Sequence, residues 1–153
     1  MSISTASSTA LVERLVAARN YHAAYFQVRQ LRFGLLDLAW HTAPATVADV
    51  EARALADCTV LPDIPGSCIS TSFHHIFDGG YSAGYYSYKW AEVLEADAFS
   101  LFRERGIFDR ATAASFRENV LSKGGSEDEA LLYRRFRGHE PDPQALLKKL
   151  EII

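Results

Sequence analysis

Phe73-His74-His75-Ile76-Phe77-Asp78-Gly79-Gly80-Tyr81-Ser82-Ala83-Gly84-Tyr85-Tyr86-Ser87-Tyr88-Lys89-Trp90 lies in the middle of a 153-residue chain and decides how the rest is read. Its first half carries glycines and shows no helical period, so it reads as a loop. Its second half leads into residues 85–105, where aromatic and aliphatic side chains fall on nearly every side. A helix apolar all round has to be covered by other elements, and the sequence around it supplies further helices rather than strands.

Upstream, Leu11, Leu15, Val16 and Ala18 recur at helical spacing opposite Glu13 and Arg14, which predicts a short amphipathic helix from Ala10. Tyr25, Val28, Leu31, Leu35 and Leu38 predict a longer, mostly buried helix over about residues 23–40. Thr46 or the residue beside it, with Asp49 in the first turn, can cap a third helix through about Cys58. Residues 61–72 contain Pro62, Pro65 and Gly66 and read as a loop. Downstream, Asp109 opens a helix to about Ser122. Ser126 and Glu129 form a capping box for another ending near Arg137, and Asp142-Pro143 start a last one. The expected fold is an all-α bundle of about seven helices over residues 10–153, with the Gly/Tyr-rich loop before the longest buried helix and a flexible segment at residues 1–9.

At 48% hydrophobic and 23% charged residues, the chain has the composition of a soluble globular domain, and its length allows one core. A net charge of -3 provides no positive field for phosphates, which excludes nucleic acid as an expected partner. No run approaches the roughly 20 apolar residues that cross a bilayer, so no membrane partner is expected. Cys58 and Cys68 are too far apart for a Cys-x-x-Cys pair, and the N-terminal residues lack a basic and apolar signal pattern. A cytoplasmic location is the expectation.

Four tyrosines, three glycines and two histidines within eighteen residues form the densest chemical signal. Glycines let backbone approach a ligand, and tyrosine or histidine can donate hydrogen bonds to a developing oxyanion. Tyr81, Tyr85 and Tyr88 stand at offsets of four and three and would share one face of a helix that included them. The same spacing also suits a core stripe, so the residues alone support a ligand site no more than they support packing.

From Phe73 to Leu94 the pattern Phe-x-His-Ile-Phe-x-Gly-Gly-Tyr-x-Ala-Gly-Tyr-Tyr-Ser-Tyr-Lys-Trp-Ala-Glu-Val-Leu resembles the C-terminal block of the thimet oligopeptidase and oligopeptidase A family of zinc metallopeptidases. The resemblance continues through Ala96-Asp97-Ala98-Phe99, Gly106-Ile107-Phe108, Gly124-Gly125-Ser126-Glu127 and Phe136-Arg137-Gly138. Upstream it includes Ala17-Ala18-Arg19-Asn20-Tyr21 and Val28-Arg29-Gln30-Leu31. It implies a helical domain bordering a deep channel in which a zinc-bound water cleaves short peptides. It further implies that Gly79 and Gly80 lie in a flexible loop flanking the cleft and that His75 helps to hold substrate. Tyr81, Tyr85 and Tyr88 would point at substrate or tetrahedral intermediate, with Tyr88 the leading oxyanion donor and Tyr85 the second.

Some positions depart from the family pattern. His74 precedes His75, leaving open which imidazole faces the cleft, and Asp78 replaces a usually small residue. Ala113 and Glu151 stand where glycine is usual, and His139 where a basic residue is usual. The zinc motif His-Glu-x-x-His is absent: His22, His41, His74, His75 and His139 include no two that are four apart. The expectation is therefore a substrate-binding C-terminal portion that is inactive alone, with no metal or other cofactor in this chain and Zn2+ in the complete enzyme. Expected partners are short peptides and the missing zinc-bearing part, or a second copy of the chain. A truncated product, a split-gene half and an excised domain all fit this. The alternatives are a non-catalytic peptide-binding or regulatory protein that pairs with a full-length relative, and a purely structural helical domain.

Overall fold

Seven α-helices, and no strand among the described residues, form the computed structural model, which describes residues 5–42 and 45–153. They are α1 (Thr5–Ala18), α2 (Ala23–Thr42), α3 (Val47–Leu55), α4 (Ser87–Arg105), α5 (Arg110–Phe116), α6 (Glu129–Arg137) and α7 (Pro143–Lys149). The all-α expectation holds. Helix α1 starts at Thr5 rather than Ala10, because no glycine or proline interrupts the stretch before Leu11 and helix propagates back through it. The rest of the expected flexible segment, ahead of Thr5, lies outside the described residues.

Side-chain caps set most helix starts. Thr46 accepts from the Asp49 amide at 3.2 Å, Asp109 from Thr112 at 2.7 Å, and Asp142, followed by Pro143, from Gln144 at 3.0 Å. Helix α6 corrects the expected capping box. Its cap is Asp128, which accepts from the Leu131 amide at 2.8 Å, while the Ser126 amide donates back to Lys123 O in the preceding turn. The helix expected to run to Ser122 ends as α5 at Phe116 and continues as a wider π-helical turn, Arg117–Leu121.

Two apolar centres hold the chain. Leu36 of α2, Val50 and Leu55 of α3, and Phe73 and Ile76 of the following loop form the first. Val93 and Ala96 of α4 pack on Leu146 of α7 in the second, beside which Phe102, Phe116 and Phe136 bring α4, α5 and α6 together. Helix α4 is one residue shorter than the 20-residue α2 and buries a single face, Val93, Ala96, Asp97 and Leu101. Trp90 and Phe99 of α4 remain exposed, as do Leu31 and Leu35 of α2 and Leu11 and Leu15 of α1. The accessible surface is 10843 Å². A compact monomer of 17.0 kDa would expose about 7,700 Å².

Candidate functional site

The loop after α3 is tied to the first core before it reaches the aromatic segment. Glu51 accepts from the Ser70 amide at 2.7 Å and from the Cys68 thiol at 3.3 Å, and Trp40 Nε1 donates to Ser70 Oγ at 2.9 Å. Burial pushes the Glu51 carboxyl up, but the hydrogen bonds from Ser70 and Cys68 outweigh it and hold the group below its ordinary value. The short 3₁₀ turn His74–Ile76 then plants Phe73 and Ile76 inward, which exposes His74 and leaves His75 half-buried. His75 stacks on Phe73 with centroids 5.3 Å apart, and its Nδ1 is buried without a hydrogen-bond partner.

Gly79 and Gly80, at φ +72° and +79°, reverse the chain so that Tyr81 returns to within 5.1 Å of the His75 ring. The Asp78 carboxylate accepts from the Gly79 amide at 2.7 Å, so the acidic departure at this position closes the turn. Helix α4 begins only at Ser87, which leaves Tyr81 and Tyr85 ahead of it and Tyr88 in its first turn. The three rings nevertheless meet. Tyr88 lies 5.1 Å from both Tyr81 and Tyr85, and His75 is 5.5 Å from Tyr85 and 6.4 Å from Tyr88. The structure thus brings His75, Tyr81, Tyr85 and Tyr88 into one cluster, with the exposed His74 ring at its edge, 4.4 Å from His75.

The three phenols are not equivalent. Tyr85 donates to Gln30 Oε1 of α2 at 3.0 Å, and burial raises its phenol above the ordinary value while Gln30 opposes the shift. Tyr88 is substantially exposed, and its phenol is pushed up to about 12, first by a hydrogen bond with Tyr81 and then by burial. At neutral pH Tyr88 therefore keeps its proton and can donate it to an acceptor that displaces Tyr81. Tyr85 can do so only by releasing Gln30.

One residue absent from the sequence reading organises the loop. Asp37 of α2 is fully buried and accepts from the Ala83 amide through Oδ1 and the Tyr85 amide through Oδ2, both at 3.0 Å. Its signal in the sequence is an acid within the apolar run Gly34-Leu35-Leu36-Asp37-Leu38-Ala39-Trp40. Among the described residues, no three His, Cys, Asp or Glu side chains are grouped as metal ligands. Elsewhere, α4, α5 and α6 border an apolar groove of about 510 Å³ lined by Trp90, Leu94, Phe99, Phe102, Phe116 and Val120.

The family model of peptidase family M3 matches residues 4–152. The chain belongs to peptidase family M3. Its loop, tyrosine cluster and all seven helices fall inside the matched region. Over 143 residues this M3 chain is 47% identical to oligopeptidase A of Escherichia coli K12, an alignment covering 90% of the chain and 21% of that protein. It is 43% identical over 145 residues to the organellar oligopeptidase A of Arabidopsis thaliana, covering 89% and 18%. The dipeptidyl carboxypeptidase of Salmonella typhimurium is 38% identical over 144 residues, covering 90% and 21%. The M3 chain therefore spans about a fifth of the length of these relatives.

Proposed function

We propose that the chain is the substrate-binding C-terminal portion of a zinc-dependent M3 oligopeptidase and grips a short peptide from one wall of the cleft. The observation that carries this reading is the ring cluster of His75, Tyr81, Tyr85 and Tyr88, which joins an exposed, protonated Tyr88 to a half-buried His75 with an unpaired Nδ1. A buried polar atom without a partner is costly, and a ligand group at this place would relieve the cost. Tyr88 donates to the peptide carbonyl oxygen as charge develops on it, Tyr85 stands behind it on Gln30, and Tyr81 and His75 orient the chain of the substrate. Gly79 and Gly80 shape the loop so that backbone lies beside the peptide.

Zinc, where bound, supplies an activated water. The described residues do not fit that role, since no ligand group is present among them, so zinc and its ligands belong to other polypeptide in this proposal. That polypeptide covers the exposed apolar faces of α1 and α2. A cytoplasmic setting completes the reading, in keeping with two free cysteines and with no helix among the described residues long and apolar enough to cross a membrane.

The test is reconstitution with a zinc-bearing segment of an M3 relative, followed by cleavage of short peptides. Tyr88→Phe is expected to lower the rate of the assembled complex by roughly a hundredfold to a thousandfold. A fully assembled complex that loses nothing overturns the reading. The groove of α4, α5 and α6 favours a second reading, a non-catalytic peptide-binding or regulatory protein that pairs with a full-length relative. That reading predicts peptide binding and complex formation with no gain in cleavage.

A further inference from the structure

We propose that Asp37 is a positioning residue that sets the geometry of the tyrosine cluster through the backbone, without touching a ligand itself; this rests on the peptide-gripping reading above. A carboxylate with no accessible surface must be matched by donors, and Asp37 finds two in a segment 46 and 48 residues away. Its two oxygens divide between the amides of Ala83 and Tyr85, so the carboxylate straddles the Gly84 amide and fixes two points of the backbone two residues apart. The Gly84 amide, between them, donates to Tyr81 O at 2.7 Å. Tyr81, Ala83, Gly84 and Tyr85 are thereby locked into a single turn immediately before α4.

The backbone records the force of this clamp. Ala83 sits at φ +56°, a left-handed conformation that a residue with a Cβ adopts only when its surroundings impose it. The Asp37 bond to its amide, together with the Gly84 bond to Tyr81 O, holds the residue there. Tyr85 is held by the second oxygen, Tyr81 by the turn, and Tyr88 by the helix that starts two residues after Tyr85. His41, one turn along α2, places Nδ1 2.7 Å from the Asp37 carbonyl oxygen and 3.4 Å from Oδ1, steadying the acid on its own helix. The three phenols are therefore aimed by α2 as much as by α4.

The test is Asp37→Asn in the full chain, which keeps size and removes one acceptor. Hydrogen exchange of the Ala83 and Tyr85 amides is expected to accelerate by roughly tenfold to a hundredfold, the equivalent of one charge-assisted hydrogen bond. The Tyr88 phenol, followed by near-ultraviolet titration, is expected to fall from about 12 toward the ordinary tyrosine value of about 10 as it separates from Tyr81. Adding Ala83→Gly should restore much of the shift, because glycine holds the left-handed turn without the clamp. A variant with a lower urea midpoint but an unmoved Tyr88 titration overturns the proposal, since the acid would then be packing alone. Should the variant fail to fold, exchange in the unaltered chain decides: Ala83 and Tyr85 amides as fast as the exposed Ser82 amide also overturn it. The two readings fail separately. Cleavage insensitive to Tyr88→Phe removes the peptide grip and leaves the clamp, whereas an unshifted phenol removes the clamp and leaves the grip.

Discussion

The Tyr81 and Tyr88 rings lie nearly parallel at 5.1 Å, and the hydrogen bond between them is the first cause of the high Tyr88 value. Tyr81→Phe keeps the ring and removes the hydroxyl, so the Tyr88 phenol is expected to drop from about 12 toward about 10 in a near-ultraviolet titration. A titration still centred near 12 would assign the shift to the surroundings of the ring. At this scale much of the cluster is legible in the sequence, because Tyr81, Tyr85, Tyr88 and His75 stand close together along the chain. The choice between His74 and His75 is not, as it depends on which way one short turn faces when Phe73 and Ile76 go inward. Asp37 escapes for a different reason. Its partners are backbone amides far along the chain, and amide positions leave no mark in residue type. Glu151, standing where the resembled family has glycine, adopts φ +56°, so that departure does mark a left-handed turn.

Between elements, one buried ion pair ties α4 to α6. Arg137 Nη2 donates to Asp97 Oδ1 at 3.0 Å, and the Tyr133 hydroxyl donates to Oδ2 at 2.5 Å. Burial pushes the Asp97 carboxyl up, yet the hydrogen bonds of Arg137 and Tyr133 prevail and hold it below its ordinary value. A carboxyl lowered in the folded state adds stability that is present above about pH 4, where the unfolded group is ionised, and lost as pH falls through the folded value. Urea midpoints measured from neutral pH downward should decline below about pH 4. Asp97→Asn should flatten that decline while costing roughly 3–5 kcal/mol at neutral pH, because Arg137 stays buried without its counter-charge. Helix existence and order were legible from the 3.6-residue period. Coverage was not: the period marks apolar faces on α2 and α4 but not what lies against them, and so Leu31, Leu35 and Trp90 remain exposed in this chain. The Asp128 cap likewise won over Ser126 through adjacency to Glu129, a choice of two residues that pattern alone leaves open.

For the molecule as a whole, the surface is larger by about 3,000 Å² than its mass requires. That excess is of the order that stable protein interfaces bury, and the exposed leucines of α1 and α2 contribute to it. The chain is expected to associate as its concentration rises, measured by sedimentation velocity. Leu15→Glu together with Leu35→Glu should weaken association while moving the unfolding free energy by no more than about 0.5 kcal/mol per site. A constant monomer mass at every concentration would show that no second copy covers these faces. The distance along the chain between Asp37 and its two amides has one more consequence. Helices close locally and quickly, whereas a contact spanning 46 residues waits for a wide loop to shut. The final aim of the aromatic rings is therefore expected to wait on the docking of α2 against the start of α4.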